Sequence, residues 1–192
     1  IKYHITEDTK VFNEKGDILA VYKKNAVPTD ILNNCRLAFR KAATQSNNRG
    51  LASGLITEKY KVGDKIGGRT IGKIQGTRFV PINIKDNKLS NTSYALTVNS
   101  GLMGFSDRYP RIPYCRSTMY NQRNLQGFKR CLPYIKCVND FFKEYAPARY
   151  KKQKRMSDET SQDFVIKDTA FSTVTVNKNF RTAGHYDNGD LK

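Results

Sequence analysis

Long apolar runs are missing from this sequence. Its 192 residues contain no stretch of about 18 consecutive apolar residues, the length that a membrane-spanning helix needs. The first residues, Ile1-Lys2-Tyr3-His4, also lack the charged and then apolar order of a secretory signal. We therefore predict a protein that has no membrane partner and is not secreted.

Paired cysteines and histidines are also scarce. The chain has two histidines, and its four cysteines, Cys35, Cys115, Cys131 and Cys137, form no CxxC pair. This excludes the ligand spacing of a zinc finger and favours reduced structural thiols. The expected location is the nucleus or the cytoplasm. Richness in lysine and asparagine is typical of an AT-rich viral or protist genome. A virion is a further expected location, which belongs to the non-catalytic alternative given below.

Acidic residues are few, with 17 against 34 lysines and arginines, so the net charge is +17. A polyanion is the expected partner, and nucleic acid fits better than a membrane. Residues 108 to 155 hold 13 basic residues and only two acids, Asp140 and Glu144. The alternative is a solvated helix face with a flexible linker. We predict nucleic-acid contacts by Arg108, Arg111, Arg116, Arg123, Lys151, Lys152, Lys154 and Arg155, and base stacking or core packing by Tyr109, Tyr114 and Tyr120.

Hydrophobic periodicity predicts both helices and strands, hence an α+β fold. Apolar residues at helical spacing predict a helix from Pro28-Thr29-Asp30 to about Gln45 and a second from Leu125 to before Pro147. Strands are predicted over residues 17–22, 78–84, 93–98 and 170–180. Residues 47–76 indicate loop or loosely paired strand, 107–126 an irregular segment, and 148–161 a solvated basic linker.

A glycine-rich stretch resembles the start of a phosphate-binding loop. Residues 67–73, Gly-Gly-Arg-Thr-Ile-Gly-Lys, match GxxxxGK. The next residue is Ile74, where such a loop needs serine or threonine to hold magnesium. A glycine-rich turn is therefore the better interpretation.

The strongest chemical signal is His185-Tyr186-Asp187, an HxD motif at the end of the predicted strand 170–180. In extended chain, residues two apart face the same side, so an imidazole and a carboxylate can reach one ion. They are two ligands of a 2-His-1-carboxylate site, which suits ferrous iron. The same residues also fit an ordinary hairpin turn at 187–190.

The residues on either side of this motif resemble those of a known protein family. Residues 171–182, Phe-Ser-Thr-Val-Thr-Val-Asn-Lys-Asn-Phe-Arg-Thr, followed by His185-Tyr186-Asp187 and Gly189-Asp190-Leu191, resemble the TET and J-binding-protein family of DNA-base dioxygenases, closest to its protist, algal and viral branches. Residues 49–54, Arg-Gly-Leu-Ala-Ser-Gly, and 145–153, Tyr-Ala-Pro-Ala-Arg-Tyr-Lys-Lys-Gln, look like further landmarks of that family.

The resemblance implies a double-stranded β-helix (jelly-roll) in which Fe(II), held by His185 and Asp187, and 2-oxoglutarate oxidise the methyl group of methylcytosine or thymine in DNA. Asn177, Arg181 and Asp190 are predicted to support the site. The family also uses a later histidine and a later arginine, which this sequence does not show. We expect residues 1–192 to form the N-terminal and central part of one dioxygenase domain: helices and first strands to 147, the linker over 148–161, and the motif strand over 162–192.

Two other functions remain open. Prolyl hydroxylases also carry HxD, although the residues flanking the motif here point away from them. A non-catalytic basic protein of chromatin or a virion, which keeps the dioxygenase shell without a working iron centre, is the second alternative.

Overall fold

The computed structural model describes residues 4–47, 49–108, 112–179 and 182–184. These residues form a mixed α+β structure, as predicted. The helices are α1 (Thr29–Ala42), α2 (Gly50–Ser53), α3 (Met119–Arg123), α4 (Leu125–Tyr145) and α5 (Pro147–Glu159). The strands are β1 (Thr9–Phe12), β2 (Ile18–Tyr22), β3 (Gln45–Ser46), β4 (Lys65–Ile66), β5 (Arg69–Gln75), β6 (Arg78–Pro81), β7 (Tyr94–Ala95), β8 (Val98–Arg108), β9 (Ile112–Ser117) and β10 (Thr173–Lys178). Within the described part of the chain, no helix is long and apolar enough to cross a bilayer.

The chain divides into two compact units. The first comprises residues 1–41 and 102–174, and the second comprises residues 42–101 and 175–192.

The helices of the first unit have the amphipathic packing that their periodicity predicts. Cys35 and Ala38 of α1 are buried, as are Phe128, Cys131 and Ile135 of α4. Phe39 of α1 meets Tyr134 of α4 edge to face, with ring centroids 5.0 Å apart. Both predicted helices are thereby confirmed, although α1 ends at Ala42 rather than near Gln45.

Helix α5 corrects the prediction of a basic linker over residues 148–161. Pro147 stands in its first turn, a position that tolerates proline because the first amide has no partner within the helix. Three side chains of α5 contact the rest of the first unit. Tyr150 meets Phe142, Gln153 donates to the Ala170 carbonyl at 3.0 Å, and Ser157 donates to the Thr169 carbonyl at 3.1 Å. These contacts, which the local sequence does not reveal, hold a basic segment in one helical conformation.

The segment predicted as irregular, residues 107–126, is also ordered where the structure describes it. Strand β9 pairs antiparallel with β8, and Thr118 then caps α3 by accepting a hydrogen bond from the Asn121 amide. Strand β8 also has β10 and β3 as neighbours. At the start of β10, the Phe105 amide donates to the Ser172 carbonyl at 2.8 Å. The predicted strand 170–180 is thus confirmed over Thr173–Lys178.

The second unit contains the sheet β4-β5-β6-β7. Its core cluster is Ile56, Ile66, Ile71, Phe79 and Leu96. Gly67 and Gly68, both with positive φ, connect β4 to β5 in a tight antiparallel hairpin, the conformation that two-residue turns require. No helix follows this turn, so it is a glycine-rich turn, as the missing serine or threonine had indicated. Within residues 47–76, predicted as loop or loosely paired strand, the structure has the strand β5, which pairs with β4 at Arg69 and Thr70 and with β6 over residues 71–75, with one register irregularity.

Candidate functional site

Strand β10 leads the chain toward the predicted metal motif. Along β10 the exposed Thr175 and Asn177 alternate with the half-buried Val174 and Val176, as the period of two predicts. His185, Asp187, Arg181 and Asp190 themselves lie outside the described residues, so their assignment stays a prediction. Among the described residues, no three His, Cys, Asp or Glu side chains are grouped so that they could hold a metal ion.

The chain is held immediately before the motif. The Ala183 amide donates to the Ala52 carbonyl of α2 at 3.0 Å. A Cβ built on Gly54, directly after α2, would lie 3.9 Å from the Ala183 side chain. The stretch Arg49–Gly54, noted in the sequence only as a family landmark, therefore contacts a residue two positions before His185.

Asn177, predicted to support the site, makes a hydrogen bond inside the second unit. Ser100, which is 3% exposed, donates from its hydroxyl to Asn177 Oδ1 at 2.8 Å. This bond satisfies a buried hydroxyl and holds the end of β10 next to the start of β8. The contribution of Asn177 to the site stays a prediction.

Arg49 is a residue that the sequence analysis did not select. Its Nε is buried, and the described part of the chain offers it no hydrogen-bond partner. A buried donor without an acceptor is unfavourable, and a guanidinium is well suited to pairing with a carboxylate or a phosphate. Arg49 directly precedes α2, whose Ala52 carbonyl holds Ala183. Its place at the head of the Arg49–Gly54 stretch was the one signal in the sequence that could have identified it.

Two buried cysteines lack the character of metal ligands. Cys35 and Cys131 are 1% and 0% exposed. Burial, reinforced by the neighbouring Cys35, raises the pKa of the Cys131 thiol to about 12, and burial also raises the pKa of Cys35. Because the thiolate is the form that binds metals and attacks electrophiles, both side chains favour packing over chemistry.

The predicted nucleic-acid contacts fall on several elements. Arg116 is exposed on β9 and Arg123 at the end of α3. Arg108 ends β8, while Arg111 and Tyr109 lie outside the described residues. Among the described residues of the predicted set, the structure brings together four on α5, Lys151, Lys152, Lys154 and Arg155, which line one groove of about 880 Å³.

The neighbouring tyrosines separate into different roles. Tyr114 is 62% exposed. Tyr120 instead donates its hydroxyl to the Ala38 carbonyl at 3.0 Å, and burial raises its pKa. Tyr120 is therefore a packing residue, whereas the base-stacking prediction for Tyr114 stays open.

Sequence comparisons give related proteins. Residues 103–192 match the family model Tet_JBP, described as the oxygenase domain of the 2OGFeDO superfamily. The "Bifunctional helicase and thymine dioxygenase JBP2" of Trypanosoma cruzi is 26% identical over 98% of this chain and 14% of its own length. The JBP2 protein of Trypanosoma brucei brucei is 35% identical over 49% of this chain and 9% of its own length. The "Thymine dioxygenase JBP1" of Trypanosoma brucei brucei is 36% identical over 48% of this chain.

This chain thus spans about 14% or less of the length of these three relatives. No solved structure matches it.

Proposed function

We propose that this protein is a member of the TET/JBP family of oxygenases, whose model residues 103–192 match, and that the whole protein is an Fe(II)- and 2-oxoglutarate-dependent dioxygenase that oxidises the thymine methyl group in DNA. The observation that carries the proposal is the family match over β8, β10 and the HxD motif. Thymine is preferred to methylcytosine because three similar proteins are named thymine dioxygenases.

The proposed fold of the complete domain is a jelly-roll. Strands β8, β9 and β10 lie within residues 103–192 except for the first residues of β8. Their neighbouring positions in one sheet are compatible with one wall of such a barrel.

The donor chemistry of the HxD motif suits ferrous iron. One imidazole nitrogen and one carboxylate oxygen, supplied two residues apart after a strand, are two of the three ligands of a facial triad. The third, a histidine by analogy with the family, is proposed to come from the rest of the protein. When bound, iron together with 2-oxoglutarate and oxygen supplies an oxidant able to take hydrogen from a methyl group.

Residues of this chain are proposed to position the HxD motif and to neutralise the charge of 2-oxoglutarate. We propose that α2, through its hydrogen bond to Ala183, sets the direction in which the chain enters the motif. Arg49 is proposed to pair with the 2-oxoglutarate carboxylate, because that anion would satisfy its buried Nε. Asn177, Arg181 and Asp190 would support the ligands from β10 and the motif.

The methyl group of a thymine stacked inside a DNA duplex cannot reach an enclosed active site, so the enzyme has to flip the base out of the duplex. Base flipping strains the DNA backbone. The concentrated positive charge of residues 108–155 supports contacts with the phosphates of that backbone. We place the protein with its DNA substrate, in the nucleus or, for a viral genome, in the cytoplasm or virion.

Mass spectrometry of digested DNA tests the reaction. The whole protein with ferrous iron, 2-oxoglutarate and oxygen should convert thymine to an oxidised base and release succinate. His185→Ala and Asp187→Ala should each abolish turnover while the circular dichroism spectrum stays unchanged, because an open catalytic site is seldom the main source of stability. Hydroxylation of a proline-rich peptide without any DNA oxidation would favour a prolyl hydroxylase. Failure to bind iron or oxidise either substrate would favour a non-catalytic protein.

Arg49 has a separate test. Arg49→Lys keeps the charge but loses the planar fork of donors, so we expect a KM for 2-oxoglutarate raised about tenfold or more with a smaller change in kcat. Arg69→Lys is the control, because Arg69 stacks on Tyr94 on the sheet of the second unit. An unchanged KM for Arg49→Lys would remove Arg49 from the site.

A further inference from the structure

We propose that Lys143, Lys151 and Lys152 form a phosphate-binding groove on the outer side of α5, and that this groove holds duplex DNA. The inference rests on the proposed function for the identity of the DNA as substrate. It adds a backbone-binding surface within the first unit, here called the α5 groove.

The α5 groove is preorganised by contacts that fix the helix to the rest of the first unit. Gln153 and Ser157 each bond a backbone carbonyl of the segment 169–170, and Tyr150 packs on Phe142. That segment is itself fixed to α4, because the Asn139 side chain accepts from the Ala170 amide at 2.9 Å. The lysines therefore project from a helix that is already ordered, so binding has to order side chains but not backbone.

Ion pairing divides the basic residues of α5 into two sets. Lys154 pairs with Asp158, and Arg155 pairs with Glu159 at 2.8 Å, each pair one helical turn apart. Among the described residues, Lys143, Lys151 and Lys152 have no acidic partner within ion-pair distance, and all three are exposed. The positive charge that remains in the groove thus comes from these three lysines.

The dimensions and the charge fit a nucleic-acid backbone. A helix of 13 residues is about 20 Å long, which corresponds to about six phosphates of one DNA strand. The groove has a volume of about 880 Å³ and is lined by lysines on both α4 and α5. Several lysines on a fixed surface are typical of contacts that position a duplex without reading its sequence.

A membrane surface is the other polyanion to consider. A helix that lies in a bilayer interface inserts an apolar face between the lipids. The inner side of α5 is already occupied by the hydrogen bonds of Gln153 and Ser157 to segment 169–170, and Ser157 is buried. The charges and contacts of α5 therefore favour DNA.

Binding of the whole protein to a duplex of about 20 base pairs tests the α5 groove. Three lost phosphate contacts should lower the slope of log affinity against log salt by about 2.7. Between about 50 and 200 mM salt, the wild-type protein should therefore lose about 40-fold more affinity than the variant Lys143→Gln/Lys151→Gln/Lys152→Gln. The control variant Lys59→Gln/Lys65→Gln/Lys88→Gln removes the same charge from exposed positions of the second unit and should keep the wild-type slope.

The acidic partners allow a test with the opposite sign. Asp158→Asn/Glu159→Gln releases Lys154 and Arg155 from their ion pairs and should raise both duplex affinity and the salt slope. A loss of affinity in this variant would overturn the proposal.

Turnover separates this inference from the proposed function. The triple-lysine variant should show a raised KM on long duplex DNA, whereas the control variant Lys59→Gln/Lys65→Gln/Lys88→Gln should keep the wild-type KM. If the wild-type protein oxidises no DNA, the proposed function is wrong, but the salt dependence of duplex affinity still tests whether the α5 groove binds DNA. An unchanged salt slope in the triple-lysine variant, an equal loss in the control variant, or binding to phosphatidylserine vesicles without binding to DNA would each overturn the α5 groove.

Discussion

At the scale of single residues, the substitutions that this chain tolerates least are those at positions where two backbone segments lie close together or where a side chain is buried. A Cβ on Gly101 would lie 1.9 Å from the Ala42 carbonyl oxygen, a contact that only backbone movement could relieve. Gly104 has a φ of +91°, and a Cβ there would also overlap the Ser172 carbonyl oxygen. Both glycines belong to β8, so the path of this strand depends on the absence of two side chains.

Gly101→Ala should lower the free energy of unfolding of the whole protein by about 2 kcal/mol or more, because the backbone of Ala42 has to move. Urea unfolding measures this change. Gly50→Ala is the matched control, since its Cβ would make only ordinary contacts at 3.6 and 3.9 Å in the first turn of α2. If Gly101→Ala unfolded at the same urea concentration as the wild type, Gly101 would not lie as close to Ala42 as the structure has it.

Cys131 should make stability depend on alkaline pH. Its thiol ionises near the ordinary value of 9.0 in the unfolded chain, but burial holds the folded-state pKa at about 12. Above pH 9 the unfolded state therefore binds fewer protons, and the free energy of unfolding should fall toward pH 12 by at most about 1.4 kcal/mol per pH unit. Below pH 9 this group should have no effect.

Urea unfolding at several pH values, with Cys131→Ala beside the wild type, measures this contribution. The variant should be less stable throughout but decline less steeply above pH 9. Leu132→Ala, which trims the same helix without removing a titratable group, should retain the wild-type slope. Identical alkaline slopes for wild type and Cys131→Ala would contradict the raised pKa.

At the scale of elements, α4 organises the first unit through a buried polar contact as well as through its apolar stripe. Asn139 is 3% exposed, and its side-chain oxygen accepts a hydrogen bond from the Ala170 amide. Segment 169–170 also receives the two side-chain hydrogen bonds from α5. One short segment before β10 is therefore fixed by two helices.

Asn139→Leu should lower the free energy of unfolding by about 1–3 kcal/mol, because it leaves the buried Ala170 amide without an acceptor. Thermal unfolding and hydrogen exchange at Ala170 measure the loss. The same substitution at Asn34, exposed on α1, should change stability little. Slow exchange at Ala170 in Asn139→Leu would mean that another group replaces the lost acceptor.

At the scale of the whole molecule, the net charge of +17 governs association more than folding. Much of this charge lies in residues 108–155, distributed over β9, α3, α4 and α5. The intact protein should therefore bind DNA through several phosphate contacts at once, of which the α5 groove accounts for about three.

Duplex affinity of the intact protein should fall by about three decades between 50 and 200 mM salt if about six phosphates are contacted. Scrambling the DNA sequence should leave this dependence unchanged, because backbone contacts carry no sequence information. Fluorescence anisotropy measures both effects. A salt-insensitive association would refute the electrostatic account of DNA binding.

Local sequence was sufficient for the features that depend on short-range periodicity and turn chemistry. The apolar stripes of α1 and α4, the alternation along β10 and the turn at Gly67-Gly68 could all be predicted, because helix, strand and hairpin each impose their own spacing on neighbouring residues. The similarity of residues 103–192 to the Tet_JBP family model was also predictable from the residues around His185.

Only tertiary structure decided the features that depend on distant partners. Residues 147–159 form a helix rather than a linker because Gln153 and Ser157 find acceptors at 169–170, more than ten positions along the chain. Arg49 became a candidate because folding buries its Nε without an acceptor and places α2 beside Ala183. Local patterns cannot encode such contacts, because each depends on which distant backbone atoms the fold brings within hydrogen-bonding distance.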